Sequence, residues 1–159
     1  MKTRKRMRLE HYDYSKSGFY FVTTNIGTKE YLLSSISDSK ILFTEFGEIV
    51  ENAWYDLPNH YSHCLLDKFV IMPNYFHGII IIENESTKSR VHGLSEIMRA
   101  FKSFSSKRIN ELNVGENKFK WHKSFYDRII RDEKELLNVR NYIVQNPLKW
   151  AINKGDGKL

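Results

Sequence analysis

Two polar residues near the C-terminal end of the chain, Tyr142 and Asn146, are spaced so that they could act on the same substrate. They lie four positions apart in a predicted helix, which places both side chains on one helix face. A tyrosine there can present its phenol as a nucleophile, and an amide oxygen one turn away can bind a metal ion. The spacing alone favours a structural interpretation, in which Tyr142 is half-buried and Asn146 ends the helix before Pro147.

His77 is the third residue whose type could carry chemistry, because an imidazole can ligate a divalent metal or move a proton. It stands at the start of an apolar run that ends at Ile82 and is typical of a central strand. A strand can direct such a side chain to the sheet surface. Taken by itself, a single histidine in an apolar run is more often a hydrogen-bonded core residue.

Basic residues form two groups that could contact phosphates. One is an N-terminal arm within residues 1–10, and the other is the polar face of a predicted helix over 94–112. The arm carries Lys2, Arg4, Lys5, Arg6 and Arg8, and the helix carries Arg99, Lys102, Lys107 and Arg108. A net charge of +6 and a pI of about 9.3 also favour a partner with phosphates or an anionic surface. For the arm, a solvated terminus is the alternative.

Composition indicates a folded domain of one hydrophobic core. Hydrophobic residues make up 41% of the 159 residues and aromatic residues 14%, which excludes global disorder. The single cysteine, Cys64, excludes an internal disulfide and a cysteine-based zinc cluster, and its apolar neighbours predict burial. The longest apolar run, 79–82, is too short to span a bilayer, and no signal peptide is visible, so a cytoplasmic protein is expected.

The predicted elements follow the order strand, helix, strand, strand, helix, strand and terminal helix. The strands are expected at 18–24, 67–72, 77–82 and 125–130, and the helices at 46–57, 94–112 and 132–144. Pro58 and Pro147 are expected to end helices, Ser95 to cap one, 31–43 to hold a small hairpin or loop excursion, and 83–93 to form a mobile loop. This order predicts a single α+β domain, a ferredoxin-like βαββαβ sandwich with helices on one face of an antiparallel sheet and a C-terminal helix that carries Tyr142.

Several segments together resemble a known family. The run Met72-Pro73-Asn74-Tyr75-Phe76-His77-Gly78 is similar to the HUH signature, histidine-hydrophobic-histidine, of the single-tyrosine transposases, and the similarity is closest to the REP-associated tyrosine transposases. The further matches are Tyr12-Asp13-Tyr14, the runs 20–23, 121–128 and 130–133, Tyr142-Ile143, and the run 146–150. Each match is weak by itself, but together they cover nearly the whole chain in the correct order.

The resemblance implies a ferredoxin-like fold and a transposase-like activity: metal-dependent cleavage and strand transfer of single-stranded DNA, on hairpin or repeat DNA. It implies that Tyr142 attacks a DNA phosphate to leave a 5′-phosphotyrosine and a free 3′-hydroxyl. Tyr126, another tyrosine in a matched segment, is the rival candidate for this role. It also implies a Mg²⁺ or Mn²⁺ ion held by the HUH histidines and a polar residue one turn after the tyrosine, which here is Asn146. Such an ion polarises the scissile phosphate and stabilises the developing charge. Members of the family act as monomers or as homodimers.

The chain departs from the family at Tyr75, which replaces the first HUH histidine. Tyr75 and His77 are two positions apart in an extended segment, so their side chains are expected on one side, facing Tyr142 and Asn146. A neutral phenol is a weak ligand for a hard cation, and its pKa near 10 opposes ionisation at neutral pH. The metal could be held by His77, Asn146 and water, or Tyr75 could bind it as a phenolate. Alternatively, the protein could have lost cleavage and kept DNA binding, or the substitution could have been introduced to trap a complex.

Two other classes of function are compatible with the sequence. One is a catalytically weakened DNA-hairpin-binding protein, which a metal-dependent cleavage assay would separate from a transposase. The other is an RNA-binding ferredoxin-like module, which would read bases with aromatic side chains on an exposed sheet face. Competition between DNA and RNA oligonucleotides separates that case.

Overall fold

The computed structural model describes residues 18–83, 93–113, 115 and 117–155. The predicted basic arm, and the predicted mobile loop apart from its two end residues, lie outside these residues. The strands are β1 (Gly18–Asn25), β2 (Ser34–Ser37), β3 (Lys40–Phe43), β4 (Cys64–Ile71), β5 (Tyr75–Ile82) and β6 (Tyr126–Ile130). The helices are α1 (Glu45–His60), α2 (Leu94–Leu112) and α3 (Glu133–Gly155).

Four strands form one antiparallel sheet in the order β4-β5-β1-β6, with β5 and β1 in the centre. This is the predicted ferredoxin-like arrangement, with α1 between β1 and β4 and α2 between β5 and β6. The predicted excursion over 31–43 is a separate hairpin of β2 and β3. Its two central residues, Asp38 and Ser39, have φ values of 51° and 62°, the left-handed conformation that two-residue hairpin turns require.

The sheet is covered on both faces. The face toward α1 and α2 carries the larger core, built around Trp54, Phe76 and Phe101. The other face carries a smaller core of β-strand residues packed against Val139 and Ile143 of α3. Because side chains alternate along a strand, β5 contributes Phe76 and Ile80 to the first core and Ile79 to the second. Cys64 is fully buried as predicted, and burial raises the pKa of its thiol to about 12, so it is not a nucleophile at neutral pH.

Gly78 shows why β5 carries a glycine beside His77. A Cβ at this position would lie 2.7 Å from the indole of Trp54 and 2.8 Å from the ring of Phe76. The indole therefore packs directly against the β5 backbone. Any larger residue would force the ring of Trp54 or Phe76 to shift, which a close-packed core resists.

Both prolines that were expected to end helices lie inside them. Helix α1 continues through Pro58 to His60, and α3 continues through Pro147 to Gly155. Packing on both sides of Pro147 explains the second case, because Ile143 is buried and Trp150 packs against the same core. Tertiary contacts thus outweigh the lost backbone hydrogen bond.

The other boundaries differ from the predictions by a few residues. Strand β4 begins earlier, at Cys64, because Cys64 pairs with Ile82 of β5. Strand β5 begins earlier, at Tyr75, because Tyr75 pairs with Asn25 of β1. The N-cap of α2 is Gly93 and not Ser95. No helix within the described residues is long and apolar enough to cross a membrane.

Candidate active site

The β5 strand places Tyr75 and His77 on the face of the sheet that α3 covers. Their neighbour Phe76 points into the opposite core, as the alternation of a strand requires. The rings of Tyr75 and His77 are 4.8 Å apart between centroids. The prediction that both side chains face the same side is therefore confirmed.

An ion pair between α3 and β4 holds the helix against this face. Arg140 donates from Nε and Nη2 to the two carboxylate oxygens of Asp67, at 2.9 Å and 2.6 Å. These hydrogen bonds hold the pKa of Asp67 below its usual range. A two-pronged arginine–carboxylate pair fixes orientation as well as distance. It therefore sets how α3 presents its next turns to the sheet.

Tyr142 lies on α3 with its ring 5.5 Å from the ring of His77 between centroids. It also meets Phe21 of β1 edge-on, at 6.0 Å. The side chain is 42% exposed, whereas His77 is 7% exposed. Solvent and a substrate can thus reach the phenol, while the residues around it are rigidly packed. This combination suits a nucleophile.

Asn146 connects Tyr142 to Tyr75. The Tyr75 hydroxyl donates to Asn146 Oδ1 at 2.8 Å, and Asn146 Nδ2 donates to the backbone carbonyl of Tyr142 at 2.6 Å. The two bonds orient the amide, with its oxygen toward the sheet. Asn146 is 5% exposed, so this pairing satisfies a polar group that would otherwise be buried unpaired. Because α3 continues to Gly155, Asn146 lies within the helix and does not end it.

His77 is held by Thr23 of β1, which is its partner in the strand register. Thr23 Oγ1 and His77 Nδ1 lie 2.6 Å apart in a hydrogen bond. Burial lowers the pKa of His77 to about 4, so the imidazole is uncharged at neutral pH. An uncharged imidazole is the form that binds metals, and a ligand at Nε2 would require Nδ1–H to donate to Thr23.

The phenol of Tyr75 is held in its neutral form. Burial, followed by the neighbouring Tyr142, raises the pKa of Tyr75 to about 12. Its proton is also engaged with Asn146. These surroundings oppose the phenolate that would make Tyr75 a strong metal ligand.

His77 and Asn146 have the donor chemistry for one divalent cation. They offer an imidazole nitrogen and an amide oxygen from facing elements, and the remaining positions would be filled by water or phosphate oxygens, as Mg²⁺ commonly allows. The set is uncharged, and within the described ranges no group of three His, Cys, Asp or Glu side chains is arranged to hold a metal ion. The Tyr75 hydroxyl already bonds the Asn146 oxygen. A cation would therefore compete with that hydrogen bond.

Stability is expected to fall as the pH is lowered from about 6.5 toward about 4, the unfolded and folded pKa values of His77. In this window the unfolded chain binds a proton at His77 and the folded chain does not, so acid favours unfolding. The contribution of His77 to stability is therefore complete only above its unfolded pKa of 6.5. The measurement is denaturant unfolding across a pH series.

The matched control is His77→Gln, which keeps a hydrogen-bonding group but cannot titrate. In this window the slope of its free energy of unfolding against pH should be smaller, by the equivalent of up to one bound proton. Identical slopes for the two proteins would show that His77 does not carry the effect.

Three residues at the site were not identified from the sequence. Thr23 and Phe21 reach His77 only through the pairing of β1 with β5. Lys149 lies with its Nζ 5.1 Å from the centroid of the Tyr142 ring. It is seven positions after Tyr142, so it shares a face with it in a helix that continues beyond Pro147. The helix end expected at Pro147 excluded Lys149 from this helix, so the spacing of Tyr142 and Lys149 did not identify it.

Tyr126, the rival tyrosine, lies on the same face of the sheet but outside this cluster. In the register, Thr23 pairs with His77 on one side and with Tyr126 on the other. Tyr126 is 49% exposed. It is thus separated from His77 by a whole strand.

The predicted DNA-binding residues of α2 lie on the other side of the sheet. Arg99 and Lys102 line a cleft there, together with basic residues that precede β6. Arg108 instead forms an ion pair with Asp56 of α1, with 3.5 Å between the charged atoms. Lys107 is exposed and does not line the cleft. The structure therefore gathers Tyr75, His77, Tyr142 and Asn146 into one site and leaves the predicted DNA-binding residues of α2 apart from it.

Comparisons with known proteins bear on the family of the chain. Residues 30–146 match the family described as Transposase IS200 like. A Haemophilus influenzae protein of uncharacterised function is 33% identical, over 92% of this chain and 89% of that protein. A second protein of that organism, named as a candidate REP-associated tyrosine transposase, is 24% identical over 86% of this chain and 74% of that protein.

Solved structures show the same fold. A REP-associated tyrosine transposase bound to a REP hairpin has a TM-score of 0.65 and 20% identity, covering 89% of this chain and 73% of that chain. A transposase candidate from Deinococcus radiodurans R1 has a TM-score of 0.55 and 15% identity, covering 86% and 94%. At these identities the likeness concerns the fold. The family match spans the site from Tyr75 to Asn146 and confirms the resemblance seen in the sequence: the chain belongs to the IS200-like transposase family.

Proposed function

We propose that this protein cleaves and rejoins single-stranded DNA beside a hairpin, with Tyr142 as the covalent nucleophile. The observation that carries the proposal is a half-exposed phenol on α3, beside a buried, uncharged imidazole and a buried amide. Membership of the family supports DNA processing. The solved relative bound to a REP hairpin supports hairpin DNA as the partner.

The proposed step transfers the scissile phosphate of the DNA from the 3′ oxygen to the Tyr142 oxygen. The Tyr142 oxygen forms a bond to phosphorus, and the bond from phosphorus to the 3′ oxygen breaks. The phenolic proton passes to solvent, which reaches this exposed side chain, and the leaving 3′ oxygen takes up a proton. The product is a 5′-phosphotyrosine with a free 3′-hydroxyl, and attack by a 3′-hydroxyl reverses it. The covalent link keeps the bond available for rejoining.

His77 and Asn146 would hold the Mg²⁺ or Mn²⁺ ion. When bound, the ion would polarise the scissile phosphate and stabilise its developing charge. Thr23 fixes the ring of His77, and the Tyr142 carbonyl fixes the amide of Asn146. Partners of this kind around metal ligands orient them and strengthen binding.

The test is the formation of a covalent adduct. Labelled hairpin DNA with single-stranded flanks is incubated with the protein and Mn²⁺, and the products are separated on a denaturing gel. The adduct is then digested and the modified peptide is sequenced by mass spectrometry. We expect label on the peptide that contains Tyr142. Label on another tyrosine would contradict the proposal.

A second candidate function is binding of hairpin DNA without cleavage. One observation favours it: the Tyr75 hydroxyl occupies the Asn146 oxygen that a cation would need. Binding without any adduct, across a range of Mn²⁺ concentrations, would support this candidate.

The RNA-binding alternative is weakened by the position of α3. In that class of module the open face of the sheet stacks bases. Here α3 packs on that face, where Ile79 and Ile143 are buried together.

A further inference from the structure

A basic cleft lies on the face of the sheet opposite Tyr142, between α2 and residues 120–125. Its volume is about 450 Å³, and four cationic side chains line it: Arg99, Lys102, Lys120 and Lys123. Serine hydroxyls of α2 supply further hydrogen-bonding groups. Among the described residues, no aspartate or glutamate lines the cleft. Its chemistry therefore suits an anion.

Hydrogen bonds between the two walls give the cleft a fixed shape. Lys102 Nζ donates to the carbonyls of His122 and Lys123, at 2.6 Å and 3.3 Å. The buried Trp121 donates from Nε1 to Ser105 Oγ at 2.8 Å. The backbone N–H of His122 also donates to the carbonyl of Asn25 in β1, at 2.8 Å. The two walls and Lys102 are thus held in place before any ligand binds, which reduces the entropic cost of binding.

The wall formed by residues 120–125 connects the cleft to the opposite face of the sheet, the catalytic face, which carries Tyr75 and His77. Residues 120–125 continue into β6, which is at one end of the described sheet. Because Ile130 of β6 packs against the α3 core, the alternation of the strand places Tyr126 and Arg128 on the catalytic face. Both side chains are exposed. Arg128 pairs in the register with Phe21, which contacts both His77 and Tyr142.

We propose that the cleft binds backbone phosphates of the DNA strand that leaves the Tyr142 site across β6. Tyr126 and Arg128 would contact the strand where it crosses the edge of the sheet. The phosphates would then lie on Arg99, Lys120 and Lys123. This inference rests on the proposed function, and adds that the protein holds its substrate on both faces of the sheet. A tyrosine face and a guanidinium are suited to stacked bases and phosphates.

The test measures how the affinity for hairpin DNA depends on the length of its single-stranded flank. Two series of DNAs are extended nucleotide by nucleotide, one on each side of the hairpin. The variant is Arg99→Gln/Lys123→Gln, which spares Lys102 because that residue joins the walls. The matched control is Lys40→Gln/Lys134→Gln, which removes the same charge from exposed positions that do not line the cleft. Binding is followed by fluorescence anisotropy at several salt concentrations.

We expect the wild type and the control to gain affinity once one flank is long enough to reach the cleft. The cleft variant should lose most of that gain, and its salt slope on long flanks should be smaller by about 1.4, or roughly 0.7 for each lost phosphate contact. If the double variant does not fold, Lys123→Gln alone should show half the change in slope.

Equal losses in the variant and the control at every flank length would overturn the cleft proposal and leave the function of Tyr142 untouched. Absence of hairpin binding by the wild type would overturn both proposals. Adduct formation, measured separately, reports on Tyr142 alone.

Discussion

Replacing Tyr142 with phenylalanine is expected to reduce the covalent DNA adduct below detection. The substitution removes only the hydroxyl, because the phenyl ring can keep its edge contact with Phe21 and its place beneath Lys149. The loss would therefore reflect the missing nucleophile and not a rearranged site. The measurement is the fraction of labelled hairpin DNA that remains attached to protein on a denaturing gel with Mn²⁺.

Tyr126→Phe is the matched control, since Tyr126 is a half-exposed tyrosine on the same face of the sheet. We expect this variant to form the adduct, with at most weaker DNA binding. Thermal unfolding and hairpin affinity are measured for both variants to show that each folds. An adduct that survives in Tyr142→Phe and disappears in Tyr126→Phe would reverse the two assignments.

Restoring a histidine at position 75 is expected to lower the metal concentration required for half-maximal cleavage by about tenfold, which corresponds to ~1.4 kcal/mol. An imidazole at this position needs no deprotonation at neutral pH. The phenol, in contrast, is held neutral by a pKa raised to about 12. The new side chain would lie beside His77, whose ring is now 4.8 Å from that of Tyr75. The measurement is a metal titration of the cleavage rate, with His77→Ala as the inactive control.

Tyr75→Phe separates the two roles that Tyr75 could have. If the hydroxyl only occupies Asn146 Oδ1, its removal frees an oxygen ligand, and Mn²⁺ should bind roughly fivefold more tightly, equivalent to the ~1 kcal/mol of one hydrogen bond. If the hydroxyl is itself a ligand, the same change weakens Mn²⁺ binding. The readout is the concentration of free Mn²⁺ by electron paramagnetic resonance without DNA, so it does not depend on cleavage.

We expect tighter Mn²⁺ binding in both variants, with Tyr75→His the stronger. A wild type that cleaves as well as Tyr75→His at low metal concentration would show that the phenol is a competent ligand. Weaker Mn²⁺ binding by Tyr75→Phe would give the same conclusion.

The sequence by itself determined the order of the elements and which faces of them are buried. The periodicities that encode these features lie in contiguous residues, so they can be recognised without knowing the neighbours. The alternation of β5 correctly placed Tyr75 and His77 on one face. The spacing of Tyr142 and Asn146 correctly placed them on successive turns of one helix. The family motifs then gave these residues a chemical meaning that their spacing alone did not favour.

The tertiary structure decided how these faces meet. Only packing against the sheet carries α3 past Pro147, and this brings Lys149 to Tyr142. The hydrogen bond from Tyr75 to Asn146 joins residues that are 71 positions apart, and no local pattern encodes it. The same is true of the basic cleft, whose cations come from α2 and from the segment before β6. Such contacts depend on the register of the strands and on the angle at which a helix crosses them, which are set by the packing of the whole core.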